Sequence, residues 1–147
     1  ALESAGGIIL ITGAGGAFSS ILRKTTIGDV IGNELIGFEI GVFLPFIIAA
    51  LLKTAQGSST VSIITTSAMI LPLLETLGLS SETGKVLTVL SIGAGAMTVS
   101  HLNDSYFWIV SQFSKMNTKT ALHCHSVSTL LQGVTGIVII KILSLFL

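Results

Sequence analysis

The short stretch Gln56-Gly57-Ser58-Ser59-Thr60 is polar and divides an apolar region of the chain in two. Mostly apolar arms lie on either side of it, at residues 37–54 and 61–77. In hydrocarbon, irregular backbone survives only where it is buried in protein or lines a wet cavity. The pattern therefore predicts a re-entrant helical hairpin over residues 37–77, with its polar tip within the membrane.

A second polar stretch, Ser100-His101-Leu102-Asn103-Asp104-Ser105, interrupts a later apolar run. That run begins at Val86, and a short aromatic segment after the break ends at Phe113. We expect one discontinuous helix over residues 86–113, with its break facing the tip of the hairpin. Secondary transporters build their sites from broken helices of this kind.

The composition restricts the class of protein. Of the 147 residues, 50% are hydrophobic and only 10% are charged, and the mean hydropathy is +0.93. A soluble domain carries about 25% charged residues. The net charge of 0 argues against a nucleic-acid partner, and the single cysteine, Cys124, excludes a disulfide framework. The composition indicates an integral membrane protein in contact with the lipid bilayer.

Uncharged runs in the sequence match the length of membrane spans. A transmembrane helix needs about 20 mostly apolar residues, and uncharged runs near this length lie at 4–22, 54–74, 86–103 and 120–140. We predict an all-α integral membrane fold, a multi-span helical bundle forming a single unit over residues 1–147. Its parts are a span at 4–22, the hairpin at 37–77, the broken helix at 86–113 and a last span at 120–146.

The polar tip is the first candidate site. It offers three hydroxyls, an amide and the free backbone N–H groups of a helix that begins near Ser58. A helix start favours an anion, so the tip suits a small acid that carries one carboxylate and several hydroxyls. The alternative is a polar seam between helices. The candidate substrate-binding residues here are Gln56, Gly57, Ser58, Ser59 and Thr60.

The second break is the other candidate site. Ionisable groups at membrane depth cost at least ~2.5–3.5 kcal/mol and are functional candidates by default. The candidate substrate-binding residues here are Ser100, His101, Asn103 and Asp104, of which Asn103 suits substrate hydroxyls because it both donates and accepts. Asp104 and His101 are also candidates to carry a coupling proton. Asp104 is equally suited to cap the helix that follows it, and the two roles are compatible.

Four more residues have competing interpretations. Glu39 is a second proton-carrier candidate or an interfacial glutamate. Lys53, three residues before the tip, attracts an anion, extends to the interface or pairs with an acid. His123 and His125 flank Cys124, but residues two apart on a helix point nearly opposite ways. We therefore predict no metal site, and the lack of a nucleophile-elbow or zinc-protease motif predicts no enzyme and no catalytic residue.

Three blocks of the sequence resemble the gluconate permease family. They are Ile11-Thr12-Gly13-Ala14-Gly15-Gly16-Ala17-Phe18, the tip with its flanks from Ala55 to Val61, and Gly93-Ala94-Gly95 followed by Ser100 to Trp108. The blocks occur in the family's order over nearly the whole chain. The pattern Ser-His-x-Asn-Asp-x-x-Phe-Trp is the specific one among them.

The resemblance implies a proton-coupled symporter for gluconate or a related hydroxy acid in the bacterial inner membrane. Members of the family are considerably longer, so it also implies a carboxyl-terminal fragment, one of two inverted repeats, that is inactive alone. Its expected partners are the amino-terminal half of the same permease and, as a further option, a second copy. No cofactor beyond the coupling ion is expected. The alternatives are a sodium-coupled organic-anion transporter and a structural or channel-type membrane subunit.

Overall fold

The computed structural model describes residues 41–146, together with Gly13 and Ala17. These residues contain helices and no strand, which confirms the all-α class. The helices are α1 (Phe43–Gln56), α2 (Ser59–Leu73), α3 (Glu82–Ala96), α4 (Ser105–Phe113) and α5 (Thr118–Leu143). Apart from Gly13 and Ala17, the predicted first span lies outside the described residues, as do Glu39 and the first residues of the predicted hairpin.

Two consecutive residues end α1 and begin α2. Gly57 has a φ of +74°, and its N–H donates to the Lys53 carbonyl at 2.8 Å, the left-handed cap that favours glycine. Ser58 is the N-cap of α2, and its hydroxyl accepts from the Val61 N–H at 3.3 Å. The chain reverses here, and the Ser62 hydroxyl donates to the Ala49 carbonyl at 2.6 Å between the two helices.

The second helix of this hairpin is shorter than the predicted arm. The α-helical part of α2 ends at Ile70, and its last turn, Leu71–Leu73, is a 3-10 helix that contains Pro72. A proline has no N–H to continue the helical hydrogen bonds. The arm expected to reach Leu77 therefore stops near Pro72.

Small residues let α3 pack closely on α1 and α5. A Cβ at Gly95 would overlap the Phe46 carbonyl of α1, and a Cβ at Gly133 of α5 would lie 3.1 Å from the Ala94 carbonyl of α3. Glycine at these positions allows the backbones to approach. A hydrophobic cluster of Val42, Leu79, Leu87, Ile137 and Ile140 fills the end of the helices away from the breaks.

The predicted broken helix is two separate helices. α3 starts after the N-cap Ser81, whose hydroxyl accepts from the Gly84 N–H at 3.0 Å, and it ends at Ala96. Val99 has a φ of +41°, a conformation that a β-branched residue rarely adopts. Helix α4 then begins at the N-cap Asp104. The break thus covers residues 97–104 and includes the whole predicted polar stretch except Ser105.

By length and composition, α5 is the one helix among the described residues that suits a membrane crossing, at 26 residues and a hydropathy of 1.7. It contains a π-helical turn at Leu122–Ser126. Both α1 and α2 are apolar but shorter. Large apolar side chains such as Val89 and Leu131 are exposed on α3 and α5, as expected of a surface that meets lipid or further protein.

Candidate functional site

The two breaks contact each other directly. The Asn103 amide donates to the Thr54 carbonyl at 2.8 Å and to the Ala55 carbonyl at 3.3 Å. His101 Nε2 lies 3.0 Å from the same Thr54 oxygen, so this nitrogen carries the hydrogen. A Cβ at Gly57 would overlap the Asn103 backbone. The second break therefore satisfies the last carbonyls of α1, which have no partner inside that helix.

A buried ion pair joins the two breaks. Lys53 Nζ lies 2.5 Å from Asp104 Oδ2, and the two residues are 3% and 6% exposed. The ammonium also donates to the Gly57 carbonyl at 3.3 Å. Asp104 Oδ2 accepts from the Ser100 hydroxyl at 2.5 Å, and Oδ1 accepts from the Tyr106 N–H at 2.9 Å. Asp104 is therefore both the cap of α4 and the partner of Lys53, and the pair is electrically neutral.

Ser100 ties the second break to α5 through every polar group that it has. Its N–H donates to Thr129 Oγ1 at 3.0 Å, and its carbonyl accepts from Ser126 Oγ at 2.5 Å. Its hydroxyl lies between Asp104 and His125 Nε2, which is 3.1 Å away. The Ser100 side chain is thus held in one place between a carboxylate and an imidazole.

A cavity of about 490 Å³ opens beside the ion pair, within the usual size range of small-molecule sites. Polar side chains of α5 form one wall, and their spacing of three, four and seven residues puts them on one helical face. The lining residues are Lys53, Ser59, Met97, Ser100, Asp104, Tyr106, His125, Ser128, Thr129 and Gln132.

The residues predicted from the sequence divide into three groups. Ser59, Ser100 and Asp104 line the cavity, whereas Gly57, His101 and Asn103 form the contact between the breaks. The Ser58 hydroxyl caps α2, and Gln56 and Thr60 are exposed.

Sequence reasoning did not assign the α5 wall to the site. Within this wall, the spacing of Ser128, Thr129 and Gln132 along the sequence does predict a shared polar face. Three interpretations of Lys53 were open, and the structure shows the one in which Lys53 pairs with an acid, Asp104. His123 is exposed and His125 is half-buried, and within the described residues no group of three or more His, Cys, Asp or Glu side chains is arranged to hold a metal ion.

Helix breaks that meet beside a polar cavity are a feature of secondary transporters. The chain belongs to the GntP family of permeases, because the family model described as "GntP family permease" matches residues 1–146. This confirms the resemblance seen in the sequence. A member of this family is a permease rather than an enzyme, and it is an integral protein of the inner membrane.

Several relatives carry transport names. The chain is 35% identical over 142 residues to a gluconate permease of Pseudomonas aeruginosa, an alignment covering 95% of this chain and 31% of the relative. It is 31% identical to the low-affinity gluconate transporter of Escherichia coli K12, covering 95% and 31%. It is 32% identical to a gluconate permease of Bacillus subtilis, covering 99% and 32%. The chain thus spans about a third of the length of these relatives. No solved structure matches it.

Proposed function

We propose that this chain is part of a secondary transporter that takes up gluconate, or a related small hydroxy acid, together with protons. The names of the relatives support the substrate class. The observation that carries the proposal is the buried Lys53–Asp104 pair in the wall of a cavity that polar side chains of α5 also line. An ionisable pair at this depth is a functional candidate because it is costly to bury.

The cavity suits an acid with a single carboxylate. Lys53 is the one lysine or arginine among the described residues that line it, and an ammonium binds a carboxylate as a point charge. Hydroxyl and amide groups of Ser59, Ser128, Thr129 and Gln132 also line it, and they both donate to and accept from sugar-acid hydroxyls. A second carboxylate would find no lysine or arginine among these residues.

Competition for Lys53 couples the substrate to a proton. When the substrate carboxylate binds Lys53, Asp104 loses its cation and becomes an uncompensated buried charge, which is strongly unfavourable. A proton on Asp104 removes that charge and restores neutrality. Anion and proton therefore favour each other's binding, and this coupling is reciprocal. His101 is the second proposed proton carrier. Its protonation would change the strength of the hydrogen bond that it donates to the Thr54 carbonyl.

Sodium coupling requires oxygen atoms free to coordinate the ion. The carbonyls of Thr54, Ala55 and Gly57 at the tip already accept hydrogen bonds from His101, Asn103 and Lys53. This favours proton coupling over sodium coupling. The rest of the permease, expected to supply the opposite wall as an inverted repeat does, completes the proposed site, and the hairpin of α1 and α2 is proposed to be re-entrant.

Uptake by the full-length permease in proteoliposomes tests the proposal. A pH gradient without sodium should drive accumulation of labelled gluconate. Asp104→Asn should abolish accumulation but retain binding, and Lys53→Met should lose binding as well. Glu82→Gln, at the exposed start of α3, is the control and should transport normally. The 147-residue chain alone should accumulate nothing.

Three results would contradict parts of this proposal. Failure of the full-length permease to accumulate gluconate or any other labelled small hydroxy acid would refute the proposed substrate class. Uptake that depends on sodium and does not respond to the pH gradient would refute proton coupling. Normal accumulation by both Asp104→Asn and His101→Gln would move the coupling site to other residues.

A further inference from the structure

The hydrogen positions around Ser100 follow from the chemistry of its neighbours. The hydroxyl has one hydrogen atom but lies 2.5 Å from Asp104 Oδ2 and 3.1 Å from His125 Nε2. An ionised carboxylate only accepts hydrogen bonds, so the Ser100 hydrogen points to Asp104. His125 Nε2 must then donate to Ser100 Oγ. The three groups form a directed chain of hydrogen bonds from the imidazole to the carboxylate.

We infer that His125 is a proton-relay residue, which passes a proton from the cavity through Ser100 to Asp104. A proton from the cavity binds His125 Nδ1 and gives an imidazolium. The Nε2 proton then moves to Ser100 Oγ as the hydroxyl proton moves to Asp104 Oδ2. Asp104 and His125 both end neutral, the hydroxyl is restored, and one proton has moved. This inference rests on the proposed proton coupling.

The relay and the ion pair share one oxygen atom. Lys53 Nζ and Ser100 Oγ both donate to Asp104 Oδ2, each at 2.5 Å. While Lys53 holds this oxygen, its positive charge opposes protonation. When a substrate carboxylate draws Lys53 away, the relay already points at the oxygen that Lys53 has left. Proton delivery is therefore restricted to the state in which the substrate is bound.

The local backbone of α5 positions His125 for this role. The residue lies in the π-helical turn Leu122–Ser126, and such turns occur frequently at functional sites. Ser126 and Thr129 hold the backbone of Ser100 on either side of the relay. Among residues 41–146, the charged and titratable groups that share the cavity with His125 are Lys53, Asp104 and Tyr106, and the Tyr106 ring lies 5.8 Å from the imidazole.

Uptake and exchange measurements separate a relay from a structural role. In proteoliposomes, His125→Gln keeps a donor for Ser100 but cannot carry a proton. Its pH-driven uptake of gluconate should fall by about 100-fold, the usual scale for loss of a proton-transfer group. Gluconate counterflow needs no net proton movement and should therefore fall much less than pH-driven uptake. The control is His123→Gln, which changes the exposed histidine on the same turn and should leave both rates unchanged.

Two outcomes of this experiment would overturn the relay. Wild-type accumulation by His125→Gln would show that the proton reaches Asp104 by another route. An equal loss of accumulation and counterflow in His125→Gln would show that the histidine only supports the structure of the site.

A second measurement needs no substrate. In the full-length protein with isotope-labelled histidines, the His125 ring signal is assigned by its loss in His125→Gln. The ring nitrogen signals of the neutral imidazole should show the hydrogen on Nε2, the tautomer that donates to Ser100 Oγ. A neutral ring with its hydrogen on Nδ1 and a bare Nε2 would overturn the relay. If the wild-type permease fails to accumulate gluconate or any related hydroxy acid, the proposed function is refuted, while the tautomer still decides the inference about His125.

Discussion

The break between α1 and α2 is closed by local contacts, whereas the break between α3 and α4 is closed by partners far away in the sequence. Gly57 and Ser58 bond to residues within four positions. Asp104 bonds to Lys53, 51 residues away, and Ser100 bonds to Thr129, 29 residues away. The turn of the first break is held by neighbours in the sequence, although the Thr54 and Ala55 carbonyls before it accept from the second break. The second break depends on distant side chains, so a ligand that displaces one of them would rearrange it.

The strongest test of this comparison removes one partner of the Lys53–Asp104 pair. Lys53→Met leaves a buried carboxylate without its cation, and losing one partner of a buried ion pair costs about 3–5 kcal/mol. The double variant Lys53→Met/Asp104→Leu should recover most of this stability because no buried charge is left. Thermal unfolding of the full-length protein in detergent measures both, and transport should be absent from both. Additive losses in the double variant would show that the pair does not join the breaks.

A smaller effect is expected at the contact between the breaks. Gly57→Ala introduces a left-handed alanine, which costs about 1–2 kcal/mol, and also forces its Cβ against the Asn103 backbone. Gly78 is a matched control, since its φ is +69° and a Cβ added there would meet no atom within 4 Å. Gly57→Ala should therefore lower the free energy of unfolding more than Gly78→Ala does. Of the two variants, only Gly57→Ala should impair transport. Equal losses of stability in the two variants would mean that the contact between the breaks does not stabilise the protein.

The local nature of the first break predicts a still smaller effect for its cap. Ser58→Ala removes the N-cap of α2, and loss of such a cap typically costs about 1 kcal/mol. Ser81→Ala removes the equivalent cap of α3, away from the breaks. The two variants should lose similar stability in thermal unfolding, and both should transport. Loss of transport in Ser58→Ala alone would show that this hydroxyl contributes to the site.

An exposed ion pair outside both breaks gives the smallest effect. The hydrogen bond and charge of Lys85 hold the pKa of Glu82 below its ordinary value. A carboxyl with a lowered folded-state pKa stabilises the fold above its ordinary pKa and loses that contribution as the pH falls through the lowered value. Glu82→Gln should therefore reduce the melting temperature slightly at neutral pH and not in acid. The same reduction in acid would exclude ionisation as the cause.

The positions of both breaks could be predicted because polar runs stand out in an apolar sequence. The start of α2 near Ser58 was also predicted, since serine before a helical run is an N-cap signal. The early end of α2 required weighing Pro72 against the apolar pattern. The sequence alone left three interpretations open for Lys53. Its side chain is long and flexible, so it can reach several partners, and the tertiary structure determines which one it contacts.

The role of His125 could not be obtained from helical periodicity. Regular α-helical geometry puts His123 and His125 on nearly opposite faces, and without a metal site neither histidine has a role that the pattern predicts. The π-helical turn at Leu122–Ser126 changes the rotation per residue at this point, and no propensity rule marks such a turn. The polar residues that follow, at 128, 129 and 132, do carry a readable pattern.

The shortness of α1 and α2 has a consequence for biogenesis. α1 has 14 residues, a length of about 21 Å at 1.5 Å per residue, which is less than the hydrocarbon thickness of about 30 Å. Neither helix alone satisfies the length rule by which the insertion machinery recognises a span. We expect the hairpin to stay at the lipid interface until Asp104 emerges from the ribosome and neutralises the Lys53 charge. Nascent chains truncated before Asp104 would expose that charge and become substrates for membrane quality-control proteases.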